Sequence, residues 1–510
     1  MKEEVLVVGA GIGGLCAALS LSPTGRAITL LERDPAPPGG DADEIFEDWR
    51  RMGASHVRQS HAFLARLRGI IKANHPDLLA ELRDMGVREL SLDSMLTEQQ
   101  QETYRPQAGD EDLTIITSRR TTLELVMRRY VERMENVTIR SGFRVTELIH
   151  ARQPDGVMVV SGVRGTEDGE EVSLSADVIV DASGKNGPLL PQLMKDGARV
   201  KEESETAGIL YFTRHYRLNP GQDEPSRTEN PPASGDLGFL KFGVFPGDNG
   251  CFSITLAVPE VEHELRRAVT DPECFHAITH LLPGLKPWTD ERRSTGRGKV
   301  YGMGDLHSRW RELLPGGEAV MRGYFALGDT LVRTNPLYGR GCSFAAVSGE
   351  ALREALDTSP DPEVRQKIYY RRLRSELRPY YDNQLSQDRS AIRRARNALT
   401  PGYRKGLRAR MLESFFDDGV RIALRSDTDL LRQAMRGFHM LEHPNKWLGK
   451  PANFGKVMYY WTRGKRRNAA AYPPKLGPDR ADMLERLSID HRADMISQGS
   501  RSAGERQAAG

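Results

Sequence analysis

A strand VLVVG that runs into GAGIGG, a central stretch of alternating apolar and polar residues, and an arginine-rich helical final third predict an α/β fold. Its parts are a Rossmann-like nucleotide-binding domain, an antiparallel β-sheet inserted into that domain, and a helical C-terminal region. At 510 residues the chain exceeds one ordinary core. The predicted division is 1–200 and 301–360 for the two parts of the nucleotide-binding domain and 201–300 for the inserted sheet. Residues 361–487 form the helical region and 488–510 a disordered tail.

Hydrophobic residues at 38 % and charged residues at 28 % give a soluble, globular composition. No apolar run approaches the length of a membrane span, and the start of the chain leaves no room for a signal peptide. Cys16, Cys251, Cys274 and Cys342 are scattered, with no CxxC pair. That argues against a disulfide framework or zinc site, predicts no bound metal, and fits a reducing cytoplasm. A net charge of +3 gives no reason to expect nucleic acid.

Val5 to Val8 form a buried-type strand, followed by Gly9-Ala10-Gly11-Ile12-Gly13-Gly14. Leu15 to Ser20 read as a helix, and Ala27 to Leu31 as a second strand that ends in Glu32-Arg33. Gly9 permits the tight turn, Gly11 lets the backbone approach a pyrophosphate, and Gly14 lets the helix pack on the sheet. The helix N-terminus faces the phosphates, and Glu32 can accept from ribose hydroxyls. This fingerprint does not separate NAD from FAD.

Two later segments do. ADVIVDASG (176–184) and YFALGD (324–329) are apolar strands that end in Asp and Gly, and the second leads through Pro336 into Gly339-Arg340-Gly341-Cys342. Over residues 4–360 the sequence resembles the FAD-dependent monooxygenases of the aromatic-hydroxylase and squalene-epoxidase type. The resemblance implies a glutathione-reductase-like FAD domain. In it Asp329 binds the ribityl chain, Pro336 lies beside the isoalloxazine, and Gly339 to Cys342 bring backbone N–H groups to the pyrimidine edge. Such a helix start stabilises the negative charge of reduced flavin. The resemblance also implies an arginine that reaches the pyrophosphate, for which Arg120 fits better than Arg119. The strand NVTIRSGFRV (136–145) would pass the adenine, with the backbone of Val145 in contact.

Residues 200–300 alternate as antiparallel strands do, where the family places a sheet over the substrate. Tyr211, Phe212, Arg214, Phe242 and Phe245 are candidates for lining that cavity, with sheet or core packing as the alternative. RRMGASHVRQSHAFLARL (50–67) resembles a stretch of the polyether and polyene epoxidases, in which Gln59 and His61 hold the matching positions. Arg58 stands where that subgroup carries proline. Arg58, Gln59, His61, Tyr211 and Arg214 are therefore the candidate residues at the reaction centre.

No Trp-x-Trp-x-Ile-Pro occurs, which argues against halogenation, and no second GxGxxG marks an NAD(P)H domain. The resemblance implies that NAD(P)H binds transiently as reductant, or that a separate flavin reductase supplies electrons. After residue 360 the pattern is helical, and Pro379 is expected to break or kink it. Residues 444–467 interleave Trp447, Phe454, Tyr459, Tyr460 and Trp461 with basic residues. They suit either packing onto the FAD domain or peripheral contact with a membrane.

The expected function is oxygen insertion from O2 into a hydrophobic alkene, terpenoid, polyketide or aromatic, by epoxidation or hydroxylation through a flavin C4a-hydroperoxide. Two alternatives stand beside it. One is FAD-dependent reduction of prenyl double bonds, for which VFPGDNG offers a partial FP-x-G match. The other is a membrane-associated flavin-binding partner protein without catalytic activity.

Overall fold

The computed structural model describes residues 2–54, 56–226 and 231–495. A five-stranded parallel sheet organises the nucleotide-binding half, in the spatial order Tyr324–Ala326, Val178–Asp181, Glu4–Val8, Ala27–Glu32, Val137–Ser141. The three segments singled out in the sequence are thus adjacent strands, although well over a hundred residues separate each from the next. Their following loops all leave from the carboxyl edge, where open α/β sheets bind ligands. The four strands other than Val137–Ser141 are largely buried on both faces, so they read as near-continuous apolar runs rather than as alternation.

The helix Ile12–Leu21 lies under the sheet against the helix Gly341–Thr358. A methyl group at Gly349 would stand 2.8 Å from the Cys16 carbonyl oxygen, so glycine lets these two helices approach closely. Expected as one strand, residues 136–145 form two. Val137–Ser141 joins the parallel sheet, the chain turns at Gly142 (φ +81°), and Arg144–Arg152 begins a separate antiparallel sheet. Val145 thus stands at the start of that second sheet, opposite Gly165.

The inserted unit is a five-stranded antiparallel sheet, ordered Ser234–Asp236, Lys241–Pro246, Cys251–Pro259, Ile209–Leu218, Ser294–Met303. One face carries Phe212, Tyr216, Phe242, Phe252 and Ile254 into a core with Phe275 and Trp288. Each such side chain contributes about 1.5–3 kcal/mol by burial. The opposite face, with Thr213, His215, Ser253 and Thr255, turns toward the loop at residues 59–60.

The helix Pro362–Ala398 is capped by Asp361, whose Oδ1 accepts from the N–H groups of Glu363 (2.8 Å) and Val364 (3.2 Å). It runs without interruption through Pro379, contrary to the expected break. Packing holds it on both sides of the proline: Leu377 and Tyr381 are buried, Tyr381 against Trp310, and upstream Tyr369 donates to the Ala326 carbonyl at 2.9 Å and Tyr370 accepts from the Ala326 N–H at 3.1 Å. These bonds hold the helix along the edge strand of the parallel sheet. Trp447 and Tyr460 pack on Leu430, Ala423 and Val457 of the C-terminal helices, not on the nucleotide-binding domain. Within the expected tail, Ile489 packs on the inserted unit and Asp494 accepts from the Glu264 N–H at 3.2 Å. Residues 496–510 lie outside the described residues. No helix among the described residues is long and apolar enough to cross a membrane.

Candidate functional site

Three loops meet at the carboxyl edge of the parallel sheet. In the first, Gly9 (φ +102°) donates to the Leu31 carbonyl at 2.8 Å, and a methyl group there would lie 2.7 Å from the Ala182 oxygen. At Gly14 it would lie 1.8 Å from the Gly9 oxygen, so no side chain fits. Ile12, Gly13 and Gly14 open the helix, and their N–H groups face out of it.

Glu32 is buried at the end of its strand. Its Oε2 accepts from the Ala10 N–H at 2.9 Å and its Oε1 from the Asp34 N–H at 3.0 Å, which fixes the carboxylate beside the glycine loop. Arg33 points outward, half exposed. Arg51 completes this corner and was not legible in the sequence. It lies 3.2 Å from both Glu32 and Asp34 and 2.5 Å from Glu124. Burial opposes its charge, but the three carboxylates outweigh that and raise the guanidinium pKa. Arg51 Nη2 is 3.6 Å from the position a Gly11 methyl group would take, so it stands at the mouth of the loop.

Arg119 and Arg120 diverge. Arg119 is spent on Asp248 and Asp43, both at 2.6 Å. Arg120, the first helical residue, donates to His56 Nε2 at 2.7 Å and lies 3.3 Å from Glu124, on the side of Asp329.

Asp329 sits in the turn after the edge strand. Among the described residues its carboxylate receives no hydrogen bond; only its backbone oxygen is engaged, by Arg309 at 3.0 Å. Burial raises its pKa, and Arg333, Arg120, Arg309 and Lys185 act against that. Four cations thus face one carboxylate. Arg309 and Arg333 are directly opposed across two strands, an unfavourable like-charge placement, and burial lowers the pKa of both. A ligand with a polyol to meet Asp329 and a diphosphate to meet the cations satisfies both features.

The third loop runs from Asn335 to Cys342. Asn335 is held on every side: Tyr211 donates to its Oδ1, and its Nδ2 donates to Asp388 at 2.9 Å. Its carbonyl accepts from Gln384 at 2.6 Å, and its N–H donates to Ser308 at 3.2 Å. Pro336 follows in a short turn that closes at Gly339 (φ +63°), where a methyl group would lie 2.9 Å from the Ala62 oxygen. At Gly341 a methyl group would meet nothing within 4 Å, so open space borders the helix start. The Arg340 side chain turns away, donating to the Tyr380 carbonyl at 3.1 Å, so only its backbone is available to a ligand. Cys342 is buried, and burial pushes its thiol up to about 11, which keeps it neutral.

The candidates at the reaction centre separate. Gln59 donates to the Tyr301 carbonyl (3.0 Å) and accepts from Thr213 (2.8 Å). Ser60 bonds to Ser253 and Thr255, both at 2.7 Å. His61 Nδ1–H donates to the Gln59 carbonyl at 2.8 Å, leaving Nε2 as an acceptor; burial lowers its pKa to about 3. Arg58 is not at this centre: its guanidinium donates to the Phe46 (2.8 Å) and Glu47 (2.7 Å) carbonyls. Arg214 is also displaced, because strand alternation puts it opposite Thr213 and His215, where it donates to the Pro272 carbonyl at 2.9 Å. Phe212 and Phe242 point the same way, into the outer core, whereas Phe245 shares the inner face and lines a small pocket with Gln59, His61 and His215. Tyr211 reaches the site only through Asn335. His56 and His215 were not singled out in the sequence; burial lowers the pKa of both, His215 to about 4.

Residues 4–191 match the family model for FAD dependent oxidoreductase. Protein Rv3254 of Mycobacterium tuberculosis is 26 % identical over 376 residues, 70 % of this chain and 73 % of that protein. The flavin-dependent halogenase armH3 of Armillaria mellea is 24 % identical, covering 69 % of each. Among solved structures, the flavin-dependent brominase Bmp2 superposes with a TM-score of 0.59 at 16 % identity, over 91 % of this chain and all of that one. The p-nitrophenol 4-monooxygenase PnpA of Pseudomonas putida DLL-E4 gives 0.58 at 16 % identity, over 86 % of this chain and 98 % of that one. At such identities the structures establish the fold. What the chain resembles is thus a FAD dependent oxidoreductase model over residues 4–191, with proteins named as flavin-dependent halogenases among the relatives and monooxygenases among the structures of similar fold.

Proposed function

We propose that the chain is a FAD-dependent monooxygenase that inserts one oxygen atom of O2 into a hydrophobic substrate, by epoxidation or hydroxylation. The observation that carries this reading is the unpartnered Asp329 carboxylate, which faces four cations near the open start of the Gly341 helix. Glu32 and the Gly9–Gly14 loop would hold the adenosine half of FAD, Arg120 and its neighbours the diphosphate, Asp329 the ribityl chain, and the N–H groups of Gly341 and Cys342 the ring edge.

FAD, when bound and reduced, supplies the activation of O2. The chain supplies position and dryness. Gln59 and Ser60 are bonded to the inner face of the inserted sheet, which closes that side against water. His61 is neutral at physiological pH, so it accepts a hydrogen bond through Nε2 rather than delivering a proton. The reductant is NAD(P)H bound transiently, or a separate flavin reductase. A peripheral membrane contact and a cytoplasmic site of action belong to the same reading.

A second reading, halogenation, is favoured by the three relatives from Armillaria mellea named as flavin-dependent halogenases. One experiment separates them. NAD(P)H oxidation is followed against alkenes and phenols, with and without bromide and chloride, and products are weighed by mass spectrometry. Gain of one oxygen independent of halide supports oxygenation; halide-dependent gain of halogen overturns it. Turnover of prenyl substrates without O2 would instead indicate reduction.

A further inference from the structure

We propose that the segment around the helix Leu407–Ser414, with Phe416 and Phe454 beside it, docks on the surface of an anionic lipid bilayer. The helix buries none of its residues. Leu407 is 68 %, Met411 54 % and Leu412 57 % exposed, and Phe416 in the following turn is 49 % exposed. Phe415 lies 5.5 Å from the Phe416 ring and 6.1 Å from that of Phe454, itself 47 % exposed. The exposed apolar side chains thus form one neighbourhood on two adjoining helices. Tyr403, just before this helix, and Tyr459, on the helix Pro451–Arg467 that also carries Phe454, are exposed as well. The helix continues without a break into Phe415–Val420 and Arg421–Ser426, where Gly419, Ile422 and Ala423 are buried, so packing anchors its far end and leaves the turns of Leu407–Ser414 bare. Contiguous exposed apolar surface marks a site of contact.

Charge selects the partner. The acids of this segment are occupied: Glu413 with Lys405 at 2.5 Å, Asp417 with Arg421 at 3.1 Å, and Asp418 with Ser414 and Tyr472 at 2.8 and 2.9 Å. Arg404, Arg408 and Arg410 are exposed, and among the described residues their guanidinium groups make no ion pair or hydrogen bond. Free cations interspersed with protruding apolar side chains and interfacial tyrosines match a surface of anionic headgroups over acyl chains. A helix with no buried side offers protrusions to insert into a fluid layer, whereas a folded protein partner is met by a shaped pocket or groove. With no membrane-crossing helix among the described residues, the contact lies in the interface plane.

Cosedimentation of the full chain with phosphatidylcholine vesicles, with and without phosphatidylglycerol, tests this. The protein should sediment with the phosphatidylglycerol vesicles and not with phosphatidylcholine alone. Arg404→Gln, Arg408→Gln and Arg410→Gln should each weaken the partition about fivefold. Met411→Glu with Leu412→Glu should abolish it without changing the melting temperature, because both side chains are already exposed. Absence of sedimentation with anionic vesicles overturns the proposal, as does equal binding by the arginine variants. If Met411→Glu with Leu412→Glu instead dissolves a concentration-dependent dimer in light scattering, the face belongs to a second copy and the bilayer reading is wrong.

Discussion

Replacing Asp388 with Asn should stabilise the protein at neutral and alkaline pH and leave it unchanged in acid. Asp388 stands on the long helix, 5 % exposed, with Oδ1 accepting from Asn335 Nδ2 at 2.9 Å and Oδ2 buried without a partner. Burial raises its carboxyl from the ordinary 3.8 to about 6, against the lowering by the Asn335 bond, Lys241 and Arg340. A carboxyl with a raised folded pKa contributes stability while protonated and loses it as pH climbs through about 6. The gap between the two values, at ~1.4 kcal/mol for each tenfold change, amounts to about 3 kcal/mol of destabilisation fully developed near pH 8. Asparagine keeps the acceptor for Asn335 and removes the charge. Protonated Asp and Asn both leave an unpaired donor at the second position, so their stabilities should coincide below about pH 4. Urea unfolding midpoints of both proteins across this range are the assay. Equal midpoints at about pH 8, or a less stable variant there, would refute the argument, since they would mean that the charged carboxylate is well partnered.

Four further outcomes follow from the site. Glu32→Ala should weaken FAD binding by roughly 1.5–3 kcal/mol, the worth of a charge-assisted acceptor. It should also loosen the glycine loop, because the Ala10 and Asp34 N–H groups lose their acceptor; titration calorimetry and melting curves read the two effects separately. Gly341→Val should leave the melting temperature of the FAD-free protein nearly unchanged, since its side chain enters open space, while flavin reduction in stopped flow slows sharply. Arg119→Ala should cost stability rather than FAD, because it leaves buried Asp248 without its cation; an unfolding free energy lower by about 3–5 kcal/mol in denaturant titration is expected. Arg120→Ala should do the reverse and lower FAD affinity, measured by flavin fluorescence.

The parallel-sheet half was legible because its signals are local. Each of VLVVG, VIVD and YFA carries its strand and its glycine turn in one short run, and all three turns fall at the same sheet edge. Arg120 was preferred to Arg119 on the resemblance, and the structure gives the two side chains different partners. The inserted sheet was harder. Alternation separates Thr213 and His215 from Phe212 and Arg214, but both faces are buried, so periodicity does not say which one meets the loop. Of the aromatics marked in the sequence as cavity lining, Phe212 and Phe242 serve the outer core, while Phe245 and Tyr211 share the hydroxyl-rich inner face. Arg51 and Asn335 had no sequence signature: their partners lie at positions 32, 34 and 124, and at 211, 308, 384 and 388, joined only by folding. Arg58 was misplaced for the same reason, since the carbonyls that hold it are a property of a helix end, not of any motif.

The central claim is that Asp329 and its surrounding cations seat a flavin. The most direct test is the flavin content of purified Asp329→Ala beside that of the parent, with melting temperatures measured on the same samples. The parent should carry FAD non-covalently, released by heat and identified by chromatography. The Asp329 carboxylate forms no hydrogen bond among the described residues, so its loss should remove most of the FAD while the FAD-free melting temperature holds. A parent that releases FMN or nicotinamide, or an Asp329→Ala protein that keeps its full complement of FAD with a melting temperature lowered as for a lost helix cap, would contradict the account.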